Sequence, residues 1–362
     1  MSYDEQHHVD SATRSFKEIF QGIDHPARQL SWLAGHRLLG VSDLLVDRGL
    51  IEPWTADMIR PLANKSARVP AVQLAEERAV LTALMQAQVP ALALKGCLLG
   101  YRVYPKPDQR MRGDLDVLVA VDRIAEARVI LNSIGYEPEW QIAGGTPSTQ
   151  ESWIRDSEGI SFYVDLHWDI RNHPALRAVL GFDEQWSAAV SLDTPEPGLK
   201  GQGNVHALIN ASMHWFDDLF PVTRPLGWLL DKDLLWRAMS DTERQYAVTL
   251  AIERGVAGLL AESLKMSRIV FDAPVSDDIL EKLESAGRGQ RATRLARTDL
   301  KPIRKWLFAL RCEPGLCAKL VRIRESLLPP PAYMRERYPQ GSRLGLVGLH
   351  WHRLLKGLKT EH

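Results

Sequence analysis

One short apolar segment constrains the fold of this chain more than any other feature. Residues 112–119 read RGDLDVLV, so two carboxylates stand two positions apart where an apolar run begins. Alternate side chains of a β-strand point to the same face, and we therefore expect Asp114 and Asp116 to lie side by side. Two aligned carboxylates at a strand end suit hard divalent cations, which prefer oxygen ligands. The segment predicts a buried strand with a metal site at its beginning.

Two other segments place polar residues in a similar setting. Lys95 and Gly96 close an apolar run upstream, and Asp165 and His167 lie in a strand-like run downstream. Each of these signals alone is usually structural. Their order along the chain, with a lysine and a glycine before the paired acids and a third acid after them, indicates metal-assisted phosphate chemistry.

The expected roles follow from the chemistry of each group. We expect Asp114 and Asp116 to bind two Mg²⁺ ions about 4 Å apart, with Mn²⁺ as the alternative ion. Asp165 is expected to bind the catalytic metal and to help deprotonate an acceptor hydroxyl. Lys95 is expected to contact phosphate as a point charge, and Gly96 to let the backbone approach it closely.

Three more polar residues lie beside the acids. Arg110 and Arg112 flank the paired carboxylates and are expected to contact the triphosphate. His167 shares the strand face of Asp165, so it is expected to orient Asp165 or contact the nucleotide. A structural hydrogen bond of His167 is the alternative.

Hydrophobic spacing divides the chain into helical, mixed and helical parts. Residues 14–88 and 174–310 show helical spacing, whereas residues 89–170 combine short apolar strands with two helices. The predicted fold class is α+β, with a small mixed β-sheet core flanked by N-terminal and C-terminal helical regions. The predicted parts are an N-terminal helical region (1–88), the core (89–172), a helical domain (173–310) and a basic extension (311–362).

The elements predicted within the core follow from short apolar runs and the turn residues between them. They are a strand at 89–94, a helix at 97–104, a strand at 115–121, a helix at 123–133, a strand at 136–142, and a hairpin of strands at 152–155 and 160–168.

The order of these motifs resembles that of the polymerase-β-like nucleotidyltransferase superfamily. More closely, it resembles a family of uncharacterised nucleotidyltransferases often found beside peptide natural-product or polysaccharide biosynthesis genes. The resemblance covers most of the chain from about residue 72. The motifs that carry it are LKG at 94–96, RGDLDVLV at 112–119, LNSIGY at 131–136, VDLHW at 164–168, His214, RPLGWLLD at 224–231, LLPP at 327–330 and MRERY at 334–338.

This resemblance implies a Mg²⁺-dependent enzyme that moves a nucleoside monophosphate from a triphosphate such as ATP to an acceptor, releasing pyrophosphate. The wider superfamily usually carries Gly-Ser where this chain has Lys95 and Gly96. The Lys-Gly pair matches the closer family and is similar to some toxin-type nucleotidyltransferases that modify RNA.

Charge distribution bears on the acceptor. Residues 288–362 contain 17 Lys and Arg against 5 Asp and Glu, and the remainder contains 28 against 40. An acidic catalytic part favours a small molecule, a peptide or a saccharide as acceptor. The basic C-terminal part leaves RNA, such as a tRNA 3′ end, as an alternative. A catalytically inactive nucleotide-binding module is the third interpretation.

Composition limits the compartment. The chain has three cysteines, no basic and apolar leader at its N-terminus, and no apolar run near the roughly 20 residues of a membrane span. A low, odd cysteine count fits a reducing environment. We therefore expect a cytoplasmic protein without a membrane span.

Overall fold

The structure is a computed structural model of the whole chain. It describes residues 15–66, 68–139, 149–157, 159–217, 224–296 and 302–327, together with positions 345 and 348. The motif at 334–338 and most of the predicted extension at 311–362 lie outside the described residues.

Helices form most of the described structure, before and after a central sheet. The helices before the sheet are α1 (Phe16–Gln21), α2 (Pro26–Gly35), α3 (Ser42–Asp47), α4 (Pro53–Ser66) and α5 (Arg68–Gln86). Two helices alternate with the strands, α6 (Lys95–Arg102) and α7 (Ile124–Ser133). The later helices are α8 (Phe182–Ser187), α9 (Asn204–Asp217), α10 (Gly227–Ala238), α11 (Asp241–Glu253), α12 (Ala257–Phe271), α13 (Asp277–Gly287), α14 (Pro302–Cys312) and α15 (Gly315–Leu327). None of the described helices is long and apolar enough to cross a membrane.

Capping explains where several helices begin. At the start of α11, the Glu243 amide donates to the Ser240 hydroxyl over 3.2 Å, and the Glu243 carboxylate accepts from the Ser240 amide over 2.8 Å. This reciprocal capping box satisfies donors that the first helical turn cannot pair internally. The same arrangement of Ser15 and Glu18 begins α1.

The sheet has seven strands and is mixed. Its strands are β1 (Ala91–Ala93), β2 (Asp114–Val119), β3 (Glu137–Pro138), β4 (Gln150–Ser157), β5 (Ile160–His167), β6 (Val190–Ser191) and β7 (Lys200–Gly201). They lie in the order β3-β4-β5-β2-β1-β7-β6. Strand β2 is antiparallel to β1 and parallel to β5, and β5 forms an antiparallel hairpin with β4. The predicted α+β class and mixed sheet are confirmed.

Most predicted elements of the core are present with ends shifted by one or two residues, and three differences matter for the fold. The strand expected at 136–142 is limited to β3 among the described residues, and 140–142 lie outside them. Helix α6 begins at Lys95, two residues before the predicted start. Strands β6 and β7 extend the sheet beyond residue 170 and were not predicted. Two-residue strands are too short to leave an alternating hydrophobic pattern.

The N-terminal helical region, the sheet core and the helical domain all contribute side chains to one hydrophobic core. Phe16 from the first helix, Val117 from the sheet and Trp236 from α10 are fully buried in the same cluster. The α14–α15 hairpin is linked to the body by Glu313, which accepts from Arg177 over 3.1 Å and from Arg322 over 2.7 Å. The boundaries predicted between the parts stay predictions.

Candidate active site

Three of the predicted site residues meet where β2 and β5 run side by side. In the parallel register of these strands, Asp116 lies directly opposite Asp165. One ligand atom each from Asp116, Asp165 and His167 falls within 4.8 Å of the others. Asp114 precedes Asp116 by two residues on β2 and belongs to the same electrostatic cluster. The register therefore brings together acids that lie 49 positions apart in the sequence.

Asp116 is the buried centre of this cluster. Its Oδ1 atom accepts a hydrogen bond from Lys95 Nζ at 2.5 Å and one from His167 Nε2 at 2.8 Å. Burial alone would raise the pKa of Asp116, but the Lys95 ammonium and the His167 hydrogen bond outweigh it and hold this pKa well below its ordinary value. Asp116 is thus a carboxylate at all physiological pH values.

His167 orients a different acid from the one predicted. Its ring reaches across the strands to Asp116, whereas Asp165 has other partners. The His167 Nδ1 atom is buried without a hydrogen-bond partner among the described residues. The hydrogen bond to Asp116 makes His167 a positioning residue for that carboxylate.

Asp165 is held by neutral donors from the neighbouring strand β4. The Ser152 hydroxyl, which lies opposite Asp165 in the hairpin register, donates to its Oδ1 atom, and Gln150 Nε2 donates to its Oδ2 atom over 3.1 Å. Sequence reasoning missed Ser152 and Gln150. The predicted hairpin, with its turn at 156–159, would set Ser152 against Tyr163. The observed pairing of Ser157 with Ile160 shifts the register and places Ser152 opposite Asp165.

Asp114 is the carboxylate of the cluster whose ionisation is disfavoured by its neighbours. The charge of Asp116 and then burial raise the pKa of Asp114 to about 6, with a further contribution from Asp165. Lys95 and Arg37 oppose this rise in pKa without cancelling it. Like charges that cannot separate favour the protonated form of one of them. A bound cation would remove this repulsion, and the cluster therefore fits a cation site.

We expect Asp114→Asn to stabilise the protein in the absence of metal. Because the pKa rises from 3.8 to about 6 on folding, ionisation of Asp114 disfavours the folded state. This destabilisation is absent below the lower pKa, grows as the pH rises between the two values, and is constant above the higher one. A rise of roughly two pKa units sets an upper bound of about 3 kcal/mol on the gain.

Urea unfolding with EDTA measures this effect. The free energy of unfolding of Asp114→Asn should exceed that of the wild type at about pH 7.5, and the difference should shrink toward zero at about pH 4. Asp122→Asn, at an exposed position just after β2, is the matched control. No gain at the higher pH, or an equal gain at both, would contradict the assignment.

Lys95 adopts a strained backbone conformation at the first position of α6. Its φ angle is 45°, in the left-handed region, which disfavours a non-glycine residue by about 1–2 kcal/mol. This conformation accompanies an ammonium that binds Asp116. Strain of this kind commonly accumulates where a functional side chain must be held in place.

Gly96 is buried against a side chain. A Cβ atom at this position would lie 3.0 Å from Cδ and 3.1 Å from Cβ of Arg112. The structure therefore explains the glycine by its close packing on Arg112. The phosphate approach expected for Gly96 stays a prediction.

Arg112 forms a bidentate ion pair with Glu77 of α5. Its Nε and Nη2 atoms donate to the Glu77 carboxylate over 2.7 and 2.6 Å, and its Nη1 atom donates to the carbonyls of Pro107 and Arg110. The side chains of Arg112 and Glu77 are 5% and 3% exposed. The guanidinium predicted to contact the triphosphate is therefore occupied by protein partners.

Arg110 is occupied in the same manner by Asp231 of α10. Its Nε and Nη2 atoms each donate to the Asp231 carboxylate over 2.7 Å, and the Tyr104 hydroxyl donates to the same carboxylate over 2.7 Å. A charge network raises the pKa of Arg110 although burial opposes the rise. The two arginines predicted to contact the triphosphate thus anchor the segment before β2 to α5 and α10.

The donor set fits a divalent metal. Asp116 and Asp165 present carboxylate oxygens from adjacent strands within 4.8 Å of each other. Among the described residues Asp114 does not belong to that close group, but it offers a third carboxylate two positions before Asp116 on the same strand. Oxygen-rich sets of this kind suit Mg²⁺ and Mn²⁺. In this structure the Lys95 ammonium supplies the positive charge beside Asp116.

The family model described as uncharacterised nucleotidyltransferase matches residues 30–272. This range contains the acid cluster, the strands that form it and the helices that supply Glu77 and Asp231. A search of the curated proteins finds no match.

Proposed function

Because the chain belongs to the uncharacterised nucleotidyltransferase family, we propose that it transfers a nucleoside monophosphate from a nucleoside triphosphate to an acceptor with release of pyrophosphate. The observation that carries this proposal is the pairing of Asp116 with Asp165 across β2 and β5, beside Lys95. Carboxylates on adjacent strands and a lysine are the groups that metal-assisted phosphoryl chemistry requires.

The proposed metal ligands are Asp114, Asp116 and Asp165, and the proposed ions are two Mg²⁺, with Mn²⁺ as a substitute. When bound, such ions would offset the negative charge of the triphosphate and polarise its phosphoryl oxygens. His167 holds the Asp116 carboxylate in place through its Nε2 atom. Ser152 does the same for Asp165.

The reaction forms one bond and breaks one bond. The acceptor oxygen attacks the α-phosphorus, the bond between that phosphorus and the α,β-bridging oxygen breaks, and pyrophosphate leaves. Where the acceptor is a hydroxyl, Asp165 accepts its proton. Lys95 exchanges Asp116 for phosphate oxygen as the nucleotide binds, which keeps its ammonium paired.

The two arginines before β2 have a structural role in this proposal, and they do not contact the triphosphate. Arg110 and Arg112 hold the strand end that carries the acids, through Asp231 and Glu77. If one of these guanidinium groups moved to the triphosphate, its carboxylate partner would remain as a buried charge without a counterion. We therefore treat both arginines as positioning residues.

The proposed acceptor is a small molecule, a peptide or a saccharide, and the proposed compartment is the cytoplasm. The acidic character of residues 1–287 supports a non-nucleic-acid acceptor. RNA stays the alternative acceptor because of the basic C-terminal part. Binding to RNA would weaken steeply with added salt, and the absence of any salt-sensitive RNA binding would remove this alternative.

The direct test is incubation of the full chain with Mg²⁺ and labelled nucleoside triphosphates, with and without candidate acceptors. The proposal expects Mg²⁺-dependent nucleotide binding and acceptor-dependent release of pyrophosphate. EDTA should abolish the release. Absence of nucleotide binding in the presence of Mg²⁺ would overturn the proposal and would favour a non-catalytic module.

A further inference from the structure

Arg37 lies near the acid cluster although it belongs to the N-terminal helices. It follows the end of α2, is exposed, and adopts a left-handed backbone conformation with φ of 59°. Its guanidinium lies over the ring of Trp228 in α10, 5.9 Å from the ring centroid. Its charge acts on Asp114. The left-handed conformation of Arg37 ends α2, with the Leu38 amide donating to the Leu33 carbonyl over 2.8 Å, and this turn presents the cation beside the acids.

The turn that carries Arg37 is fixed to α10. The preceding residue, His36, is buried, and its Nδ1 atom accepts from the Leu226 amide over 3.2 Å. The His36 carbonyl accepts from the Gly227 amide over 3.0 Å. The Arg37 side chain therefore begins from a backbone that cannot shift independently of α10.

The same turn is also fixed to the segment that leads into β2. Gly40 packs so closely on that segment that a Cβ atom would lie 2.5 Å from the Gln109 carbonyl oxygen. Gln109 is five residues before Asp114 in the sequence. Contacts on two sides thus set the position of Arg37 relative to the acids, which is the precision that a substrate-binding cation needs.

The partners of the nearby cations distinguish Arg37 from the others. Arg110 and Arg112 are buried in bidentate ion pairs, and Lys95 binds Asp116. Within the described part of the chain, the Arg37 guanidinium makes no ion pair with a carboxylate. It makes a cation–π contact with the Trp228 ring. A guanidinium stacked on an aromatic face can still bind a phosphate through its N–H donors, because the ring occupies the face of the planar group.

We propose that Arg37 binds the triphosphate of the incoming nucleotide at the rim of the acid cluster. This inference rests on the proposed function. A polyphosphate that approaches three carboxylates needs cations besides the metal, and Arg37 supplies a guanidinium suited to bidentate contact with phosphate oxygens. The triphosphate-binding arginine would then come from the N-terminal helices and not from the segment before β2.

The test uses inorganic tripolyphosphate, which carries the phosphates without a base whose identity is unknown, and an ATP analogue that cannot be hydrolysed. Binding to the full chain is measured by calorimetry in the presence of Mg²⁺. We expect Arg37→Ala to weaken binding of both probes on the order of tenfold or more. Arg28→Ala, which removes an exposed arginine on α2, should leave both affinities unchanged.

Two further measurements separate binding from other roles. Arg37→Lys keeps a positive charge and should lose less affinity than Arg37→Ala. Mn²⁺ affinity, measured without phosphate, should change little in Arg37→Ala. A change in Mn²⁺ affinity with unchanged tripolyphosphate affinity would mean that Arg37 only balances Asp114, and it would overturn the inference. A loss of affinity in Arg37→Ala that is accompanied by an equal loss in the free energy of unfolding in urea would indicate a structural role and overturn it as well.

Failure of this inference is distinguishable from failure of the proposed function. If the wild type binds tripolyphosphate and the ATP analogue and Arg37→Ala binds both equally well, the inference is wrong and the proposed function stands. If the wild type binds neither probe with Mg²⁺ present, the proposed function fails and the inference fails with it.

Discussion

Asp116→Asn is expected to lower the rate of pyrophosphate release on the order of a thousandfold or more. The substitution keeps the size of the side chain and removes the negative charge that Lys95 and His167 hold in place. It also removes a proposed metal ligand opposite Asp165. The variant loses both a metal ligand and the charge that positions Lys95. Both losses act at the reacting centre, so among the variants described we expect this one to have the largest effect on activity.

The measurement is acceptor-dependent release of pyrophosphate at saturating Mg²⁺ and nucleotide. Asp122→Asn provides the matched control because Asp122 is an exposed carboxylate just beyond the other end of β2. The unfolding transition of each variant is recorded alongside, so that loss of activity is compared among folded proteins. A folded Asp116→Asn that retained more than roughly a tenth of the wild-type rate would contradict the proposed metal site.

The largest expected effect on stability belongs to the pair of Arg110 and Asp231. We expect Asp231→Ala to destabilise the protein by about 3–5 kcal/mol. The two side chains are 7% and 5% exposed, and Asp231 also accepts a hydrogen bond from Tyr104. The substitution leaves a buried guanidinium whose remaining acceptor is the Met111 carbonyl, and it leaves a buried hydroxyl unpaired.

Urea unfolding measures this loss, and two comparison variants make it specific. Asp24→Ala removes an ion pair with Arg28 in which both side chains are more than 70% exposed, and it should change stability by less than about 1 kcal/mol. The double variant Arg110→Met, Asp231→Leu removes both charges and should be less destabilised than Asp231→Ala alone. A loss in Asp231→Ala no larger than that in Asp24→Ala would show that the buried pair does not hold the strand end.

Local sequence patterns were sufficient for the order of elements in the core. The strand of Asp114–Val119, the helix after it and the hairpin that carries Asp165 were all predicted within a few residues. These elements have strong local signals, because apolar runs and turn residues lie side by side in the sequence. Strands β6 and β7 carry no such signal and depend on the neighbours that pair with them.

The three predicted metal ligands, Asp114, Asp116 and Asp165, come together for two different reasons. Asp114 and Asp116 share a strand, so their proximity follows from the alternation of side chains along it. The meeting of Asp116 with Asp165 follows from a parallel register between strands far apart in the sequence. The sequence grouped Asp165 with the paired acids by their order along the chain, and only the structure shows the register that sets it opposite Asp116.

The partners of the charged residues could not be predicted. Arg112 pairs with Glu77 of α5, and Arg110 pairs with Asp231 of α10. Sequence proximity had placed both arginines beside the triphosphate. An ion pair depends on which helix packs against the strand end, and no local pattern encodes that choice.

The sequence by itself determined the elements of the core and the carboxylates at the start of β2, because backbone periodicity and turn chemistry act over a few neighbouring residues. Tertiary packing alone decided which of the arginines pair with a carboxylate. Burial makes a guanidinium require a carboxylate, and so Arg110 and Arg112 are taken into the body of the protein. Arg37, whose turn contacts two segments distant in the sequence through His36 and Gly40, stays exposed.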